Sequence, residues 1–197
     1  MQSKPWRRLW HLVGGSFFPV LALFIPTSAL LISLGAVTTL FVAWEITRLT
    51  FSNINQWMVT HLGVMLKREE RFRLTGSTYL LLSSFAVFVL FDRYVAITSV
   101  LFLSIGDFMA TVIGEKFGRR RIFGKSLEGS LACLVSCLLI GLVMSRISPV
   151  LVLPVAIAGA IPATLVELLP IPIDDNLTIP LFSAGITTLT AFYLGRL

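Results

Sequence analysis

The residues best suited to chemistry lie in one stretch, GDFMATVIGEKFGRRRIFGKSLEG, which runs from Gly106 to Gly129. Asp107 interrupts an apolar run, where a carboxylate is energetically costly and usually functional. It is a candidate ligand for Mg²⁺ or a candidate acceptor of a hydroxyl proton, although a buried aspartate can also simply cap or pair with a neighbouring helix. Glu128 begins the next apolar run, where it is either a metal ligand or a charge that complements the helix dipole.

Cations and glycines surround these carboxylates. The run Arg119-Arg120-Arg121 precedes Lys125-Ser126, and this grouping is typical of a phosphate site, because Lys and Arg neutralise phosphate charge. Ser126 is a candidate cap for the helix that follows it, and the start of that helix points its amides at an anion. The arginine run is also a common determinant of membrane topology. The spacing of Gly114 and Gly118 indicates close helix packing, or else a close approach of the backbone to a phosphate.

Two further polar stretches stand apart from this one. The paired Asp174-Asp175 follows a proline-stiffened loop, and Glu167 lies one or two helical turns earlier. Such a pair is commonly solvated surface, but here it predicts a divalent-metal site that faces the basic loop. The stretch from Lys67 to Tyr79, KREERFRLTGSTY, combines a charge run typical of an interfacial anchor with a candidate helix cap at Thr75.

The elements that hold these residues are predicted to be membrane helices. Hydrophobic residues make up 56% of the 197-residue chain, charged residues make up 13%, and the mean hydropathy is +0.89. A soluble domain of this size could not bury so much apolar surface. A membrane-spanning helix needs about 20 residues, so seven spans leave no room for a sizeable extramembrane domain. We therefore predict an all-α, polytopic helical bundle, with residues 1–197 forming a single membrane-embedded domain.

Seven apolar runs define the predicted spans. They cover about residues 10–25, 28–47, 75–91, 94–114, 127–145, 149–169 and 178–194, with an interfacial helix and loop over 48–74 and a basic loop over 115–124. Cys133 and Cys137 fall four residues apart in one run and are predicted to be small buried residues, because a disulfide across one helical turn has poor geometry.

The charges predict an orientation. With the N-terminus inside, all but three of the 16 Lys and Arg residues lie on the cytoplasmic side, the exceptions being Arg93, Arg146 and Arg196. This topology accounts for the net charge of +6 without nucleic acid as a partner. All the acidic residues except Asp92 lie on the same side, which the positive-inside rule does not require. Carboxylates and cations at one face indicate a site for a metal-bound polyanion.

These residues resemble those of the CTP-dependent lipid-alcohol kinases, a family that includes dolichol kinase, phytol kinase and the yeast-type diacylglycerol kinase. The resemblance covers nearly the whole chain. Its most specific part is Gly106-Asp107, Gly114, Gly118, Lys125-Ser126-x-Glu128-Gly129, Glu167 and Asp174-Asp175-Asn176. Arg8 and His11 resemble a basic residue and a histidine that often open such chains, and Lys67 to Tyr79 looks most like the diacylglycerol kinase branch.

The resemblance implies an integral membrane enzyme that uses CTP and Mg²⁺, or another divalent cation, to phosphorylate a lipid hydroxyl. The expected partners are the lipid alcohol, CTP and the bilayer, and the expected location is a prokaryotic plasma membrane; no residue indicates an oligomeric state. Asp107, Lys125 and Glu128 are the expected catalytic residues, with Asp107 the candidate base. The expected metal ligands are Asp107, Glu128, Glu167, Asp174 and Asp175. The expected nucleotide-binding residues are Lys67, Arg71, Gly106, Gly114, Gly118, Arg119, Arg121, Ser126 and Gly129, together with Lys125.

Two other functions remain open from the sequence. Lys125-Ser126-x-Glu128-Gly129 also resembles the CDP-diacylglycerol synthases, which are cytidylyltransferases, but nothing after Asn176 matches the basic-acidic signature that ends those chains. An ion or anion transporter is expected to show inverted repeats and charges near the bilayer midplane. This chain has no visible repeat, and its charges lie near one face.

Overall fold

The computed structural model describes residues 5–197, without the side chain of Pro5. Lys4, one of the predicted cytoplasmic cations, lies outside the described residues. Within that range the regular elements are helices and one short hairpin, so the predicted all-α class is confirmed. The α-helices are α1 (Pro5–Leu21), α2 (Thr27–Thr50), α3 (Ser52–Leu62), α4 (Gly76–Leu90), α5 (Arg93–Leu101), α6 (Phe108–Phe117), α7 (Leu127–Ile147), α8 (Leu153–Leu168) and α9 (Asp175–Tyr193).

Three helical segments are long and apolar enough to cross a membrane. They are α2 with 24 residues, the continuous run Arg93–Phe117 with 25 residues, and α7 with 21 residues. At about 1.5 Å per residue, each can span a hydrocarbon core of about 30 Å. The helices α4 and α8 are apolar but shorter. The structure is therefore compatible with the predicted membrane protein.

The helix ends differ from the predicted ones where local capping decides them. The first helix begins at Pro5, about five residues before the predicted start, and proline is well suited to the first position of a helix. The side chain of Asp92 accepts a hydrogen bond from the backbone of Tyr94, so it caps α5. Asp174 caps α9 in the same way, which moves the helix start back to Asp175. The predicted caps Thr75 and Ser126 are confirmed at the starts of α4 and α7.

The predicted helix over 94–114 contains an irregularity. Residues Phe102–Asp107 form a π-helical segment that joins α5 to α6. Such segments are rare and often lie at functional sites. Gly106 lies in this segment, where an added Cβ would come within 3.0 Å of the sulfurs of Cys133 and Cys137. Both cysteines are free and buried, as predicted.

The packing places α5 at the centre of the bundle. Its residues Val95, Ala96, Ile97 and Val100 are fully buried. The helix α8 packs between α7 and α9, and α9 also contacts α4 and α5. Because α5 runs through the π-helical segment into α6, Asp107 lies on a well-anchored part of the backbone.

The helices α6 and α7 meet at glycines. An added Cβ on Gly114 would lie 2.5 Å from the hydroxyl of Ser126, and one on Gly129 would lie 2.5 Å from the carbonyl oxygen of Ala110. This contact supports the packing interpretation of Gly114, and it brings α6 directly against the start of α7.

A two-stranded hairpin connects α6 to α7 and was not predicted. The strands β1 (Arg121–Ile122) and β2 (Lys125–Ser126) are antiparallel. The two turn residues, Phe123 and Gly124, have φ angles of 52° and 85°. Positive φ at both positions is the requirement of a type I′ turn, which matches the twist of the flanking strands. The hairpin thereby fixes the position of Lys125.

A buried ion pair organises the predicted interfacial segment. Arg48 and Glu45, both near the end of α2, are almost fully enclosed and form two hydrogen bonds of 2.9 and 2.7 Å. Arg48 also donates to the carbonyl of Arg73, and Glu45 accepts from the backbone of Thr75. The pair therefore anchors the end of the 63–75 connection, which includes a 3₁₀ turn at Glu69–Arg71.

Candidate functional site

Lys125 joins three elements that are distant in the sequence. Its ammonium nitrogen lies 2.9 Å from Oδ2 of Asp175 at the start of α9 and 3.6 Å from Oε1 of Glu167 in α8, and it also donates to the backbone carbonyl of Glu167. The other carboxylate oxygen of Glu167 accepts a hydrogen bond of 2.9 Å from Ser130. We call Lys125, Glu167 and Asp175 the Lys125 cluster.

Two polar cavities adjoin this cluster. The Lys125 cavity has a volume of about 250 Å³ and is lined by all three members of the cluster, with Arg121 among its other residues. The second cavity, which we call the Lys67 cavity, has a volume of about 180 Å³, and its lining residues include Lys67, Arg8 and His11. Asp107, Thr111 and Asp175 line both cavities, so they form a shared wall between them.

Asp107 lies at the centre of this arrangement. Its carboxylate makes no hydrogen bond within the described part of the chain, and the charges that act on it most strongly are those of Lys125 and Lys67, one from each cavity. A carboxylate between two cations, with its oxygens unoccupied, is available to a bound ligand.

Cations line both cavities. The Lys67 cavity contains Arg7 and Arg8 as well as Lys67, and the Lys125 cavity contains Arg121. Burial alone would lower the pKa of Lys125, but the carboxylates of Asp175 and Glu167 outweigh burial and hold that pKa above its usual value. Lys125 therefore remains protonated through the neutral pH range. Its ammonium group can bind a phosphate in place of the carboxylates that it now contacts.

Lys67 and Asp174 extend the site toward α4. The ammonium nitrogen of Lys67 lies 3.6 Å from Oδ2 of Asp174. The other carboxylate oxygen of Asp174 accepts hydrogen bonds from the backbone and side chain of Asn176, at 3.0 and 2.6 Å. Glu70 holds the backbone of Lys67 with a hydrogen bond of 2.6 Å. Asp174 thus positions Lys67 and the start of α9.

Glu128 lines neither of the two polar cavities. Its carboxylate accepts hydrogen bonds from the backbone amides of Arg119 and Arg120 at 3.1 to 3.4 Å. With Arg119 it lines a separate, open cavity that shares no lining residue with either of the two polar cavities. This geometry secures the hairpin to the first turn of α7, and it sets Glu128 and Arg119 apart from the Lys125 cluster.

The remaining predicted residues have different surroundings. Gly114, Ser126 and Gly129 line the Lys125 cavity and also form the contact between α6 and α7. Gly118 packs against the side chain of Ser126. Arg71 lines neither polar cavity, and its backbone carbonyl accepts a hydrogen bond from Asn55.

Several residues of the site did not stand out in the sequence. Thr111 lies on the shared wall one helical turn after Asp107, and Ser130 orients Glu167. A threonine or serine within an apolar helix gives no distinct sequence signal, because such residues commonly hydrogen-bond to their own helix. Arg8, expected only by resemblance, pairs with Glu115 and so joins α1 to α6.

The donor set fits a cation that binds together with phosphates. Among the described residues, no three His, Cys, Asp or Glu side chains group closely enough to hold a metal ion by themselves. Mg²⁺ usually takes one or two carboxylates, with water and substrate phosphates in its other positions. Asp107 and Asp175, which share the wall between the cavities, offer such a pair.

Comparison with known proteins identifies a bacterial relative whose name assigns no function. An uncharacterized protein of Rickettsia prowazekii is 29% identical to the chain over 194 residues, which is 95% of each protein. No family model and no solved structure matches the chain. The relative shows that a bacterial protein shares nearly the full length of this sequence.

Proposed function

We propose that the protein is a membrane lipid kinase that transfers the γ-phosphate of CTP to the hydroxyl group of a lipid alcohol, either diacylglycerol or a polyprenol- or phytol-like isoprenoid. The observation that carries this proposal is the meeting of Lys125, Glu167 and Asp175 beside Asp107, with cations in the cavities on both sides. Phosphoryl transfer requires mainly positioning and charge neutralisation. The resemblance to the CTP-dependent lipid-alcohol kinases supplies the nucleotide and the acceptor.

The residues of the two cavities have distinct roles in this proposal. Lys125 and Arg121 bind the phosphates of CTP from the hairpin side. The acceptor oxygen forms a bond to the γ-phosphorus, the bond from that phosphorus to the bridging oxygen breaks, and CDP leaves with the electron pair. Asp107 is the candidate to accept the hydroxyl proton, because it lines both cavities. Asp107 and Asp175 would hold Mg²⁺, which when bound neutralises phosphate charge.

The membrane arrangement belongs to the same proposal. Seven spans with a cytoplasmic N-terminus place the two cavities at the cytoplasmic face, where CTP is available. The three long apolar helices and the shorter α4 and α8 support this arrangement. The proposed location is a prokaryotic plasma membrane, and the bacterial organism of the relative is in keeping with a prokaryotic origin.

One labelling experiment tests the reaction. The purified full-length protein is incubated with Mg²⁺, each of four nucleoside triphosphates, and a panel of diacylglycerol, polyprenol, phytol and phosphatidate. We expect label from the γ position of CTP to enter the lipid and label from the α position to remain in CDP. Label from the α position in a phosphatidate acceptor, with release of pyrophosphate, would replace the kinase with a cytidylyltransferase. No transfer from any nucleotide to any acceptor would refute both enzymes.

A further inference from the structure

A large apolar chamber lies beside the Lys67 cavity. Its volume is about 580 Å³, and its walls come from α1, α2, α3 and the connection that leads into α4. Leu40, Phe41, Met58 and Leu66 are among the apolar side chains that line it, and Trp10 and Trp44 line it as well. Tryptophan is enriched where a membrane protein meets the headgroup region. The chamber therefore lies near the headgroup region, at a depth where the part of a lipid just below its head can enter.

The chamber and the Lys67 cavity meet at two residues. Arg7 and His11 line both spaces. The backbone of Gly76, at the start of α4, lies close to this junction, since an added Cβ there would be 3.4 Å from the His11 ring. A group bound at this end of the chamber would therefore lie next to the cavity that contains Asp107.

On its other side the chamber adjoins an open apolar groove between α1 and α3. The groove has a volume of about 460 Å³ and shares Trp10, Leu62 and Met65 with the chamber. Its remaining apolar residues include Trp6 and Val13, which are 68% and 58% exposed. In a membrane protein such side chains face lipid. The groove thus offers a lateral path from the bilayer into the chamber.

The charges of the chamber select an uncharged head. Glu45 and Glu70 line its polar end, and both are already hydrogen-bonded, Glu45 to Arg48 and Thr75, and Glu70 to the backbone of Lys67 and Gly76. Among the described residues that line the chamber, Arg7 is the only Lys or Arg. Since Arg48 neutralises Glu45, the remaining charges there are those of Glu70 and Arg7, which offset each other. An anionic headgroup would therefore lose its hydration without meeting an excess of positive charge, whereas a hydroxyl group carries no such cost.

We propose that this chamber binds the apolar part of a neutral, hydroxyl-bearing lipid, which enters through the groove and presents its hydroxyl to the Lys67 cavity between Arg7 and His11. This inference rests on the proposed function, because it identifies the path of the acceptor to the same site. Four spaces then form a series in which each shares lining residues with the next: the groove, the chamber, the Lys67 cavity and the Lys125 cavity.

Photo-crosslinking tests the occupant directly. Benzoylphenylalanine replaces Met58 in the chamber, and in a control chain it replaces Leu142, which is exposed on α7. Each full-length protein, in nanodiscs, is irradiated with an alkyne-tagged diacylglycerol or long-chain isoprenoid alcohol. We expect labelling at position 58 that excess untagged lipid alcohol abolishes and phosphatidate does not. Labelling at position 58 that neither lipid displaces, as expected for the bulk-lipid contact at position 142, would overturn the proposal, and so would displacement by phosphatidate.

A second variant tests the route through the groove. Leu62→Trp adds bulk where the groove and the chamber meet, and Leu142→Trp is the matched control. We expect Leu62→Trp to raise the KM for the lipid by about tenfold or more, the usual scale of a lost apolar fit, with the KM for CTP unchanged. An unchanged KM for the lipid would refute the route.

The two proposals can fail separately. Displaceable crosslinking at position 58 without phosphate transfer would leave the lipid site in place and remove the kinase. Phosphate transfer with non-displaceable crosslinking would support the kinase and refute the lipid site in the chamber.

Discussion

The ammonium nitrogen of Lys125 and Oδ2 of Asp175 lie 2.9 Å apart, although 50 positions separate the two residues in the sequence. This ion pair ties the hairpin between α6 and α7 to the start of α9. Each side chain is about one-third exposed, at 32% and 33%. A ligand can therefore reach the pair, in contrast to the enclosed pair of Glu45 and Arg48, and the pair can exchange its internal contact for one with a phosphate.

Lys125→Met is expected to reduce phosphate transfer by about a hundredfold or more, because it removes a charged donor aimed at the phosphates. Arg120→Met is the matched control, since Arg120 is an exposed cation on the same segment that lines neither polar cavity. The measurement is the initial rate of transfer from γ-labelled CTP. Equal effects of the two substitutions would show that Lys125 contributes only general positive charge.

Asp107→Asn preserves the size of the side chain and removes its charge. We expect activity to fall by about a hundredfold or more, as when a general base or a metal ligand is lost. Asp92→Asn provides the comparison, because asparagine remains a good helix cap. Initial rates at saturating Mg²⁺ measure the effect. Near-normal turnover in a folded Asp107→Asn protein would reduce Asp107 to a structural residue.

Arg48→Met is expected to destabilise the protein by about 3–5 kcal/mol, because it leaves the enclosed carboxylate of Glu45 without its partner. The double variant with Glu45→Gln removes both charges and keeps an acceptor for Thr75, so we expect it to be more stable than the single variant. Thermal unfolding in detergent gives the order of stability. Additive losses in the double variant would show that the two side chains act independently.

Gly129→Ala is expected to destabilise the contact between α6 and α7 by about 1–3 kcal/mol, the usual cost of overpacking. The new methyl group would lie 2.5 Å from the carbonyl of Ala110. Gly185→Ala has open space around it and is expected to be neutral or slightly stabilising. Unfolding measurements on both variants test this difference. A stable Gly129→Ala protein would mean that the two helices can separate without loss.

Cysteine labelling tests the proposed topology. Arg71→Cys and Arg121→Cys are expected to react with an impermeant reagent only from the cytoplasmic side, and Arg196→Cys only from the outside. Cys133 and Cys137 are buried and need not be replaced. External labelling at position 121 would contradict a cytoplasmic site.

The sequence was sufficient for the all-α class and for part of the site, and three helical segments of the described chain are long and apolar enough to span a membrane. Apolar runs locate spanning segments because every backbone group in lipid must find its partner within a helix. The caps Thr75 and Ser126 followed from residue type at a run boundary. Lys125, Glu167 and Asp175 were all candidate residues before their contact was known, because carboxylates within or beside apolar helices are costly and Lys neutralises phosphate charge.

The sequence did not predict which groups the charged side chains would pair with. Glu128 was expected beside a metal, but it binds the amides of Arg119 and Arg120, and nothing in a one-dimensional pattern indicates which backbone donors a carboxylate will meet. Arg48 looked like a topology signal and is instead fully enclosed. The positive φ of Phe123 also has no sequence signature, because a bulky residue there goes against the usual preference for glycine or asparagine.

The π-helical segment determines where the chain before Asp107 tolerates a change in length. Each of its hydrogen bonds spans five residues instead of four, so the segment holds one residue more than an α-helix would at the same place. Deleting one residue from 102–106 would restore a regular α-helix with its hydrogen bonds intact. Because the wider turn absorbs the extra residue, this deletion would leave Asp107 and α6 facing about the same way relative to α5 and would change mainly the backbone of the segment itself. A single-residue deletion within 102–106 is therefore expected to be less harmful than one within α5 or α6, where every following side chain of the helix would turn by about 100° about the helix axis.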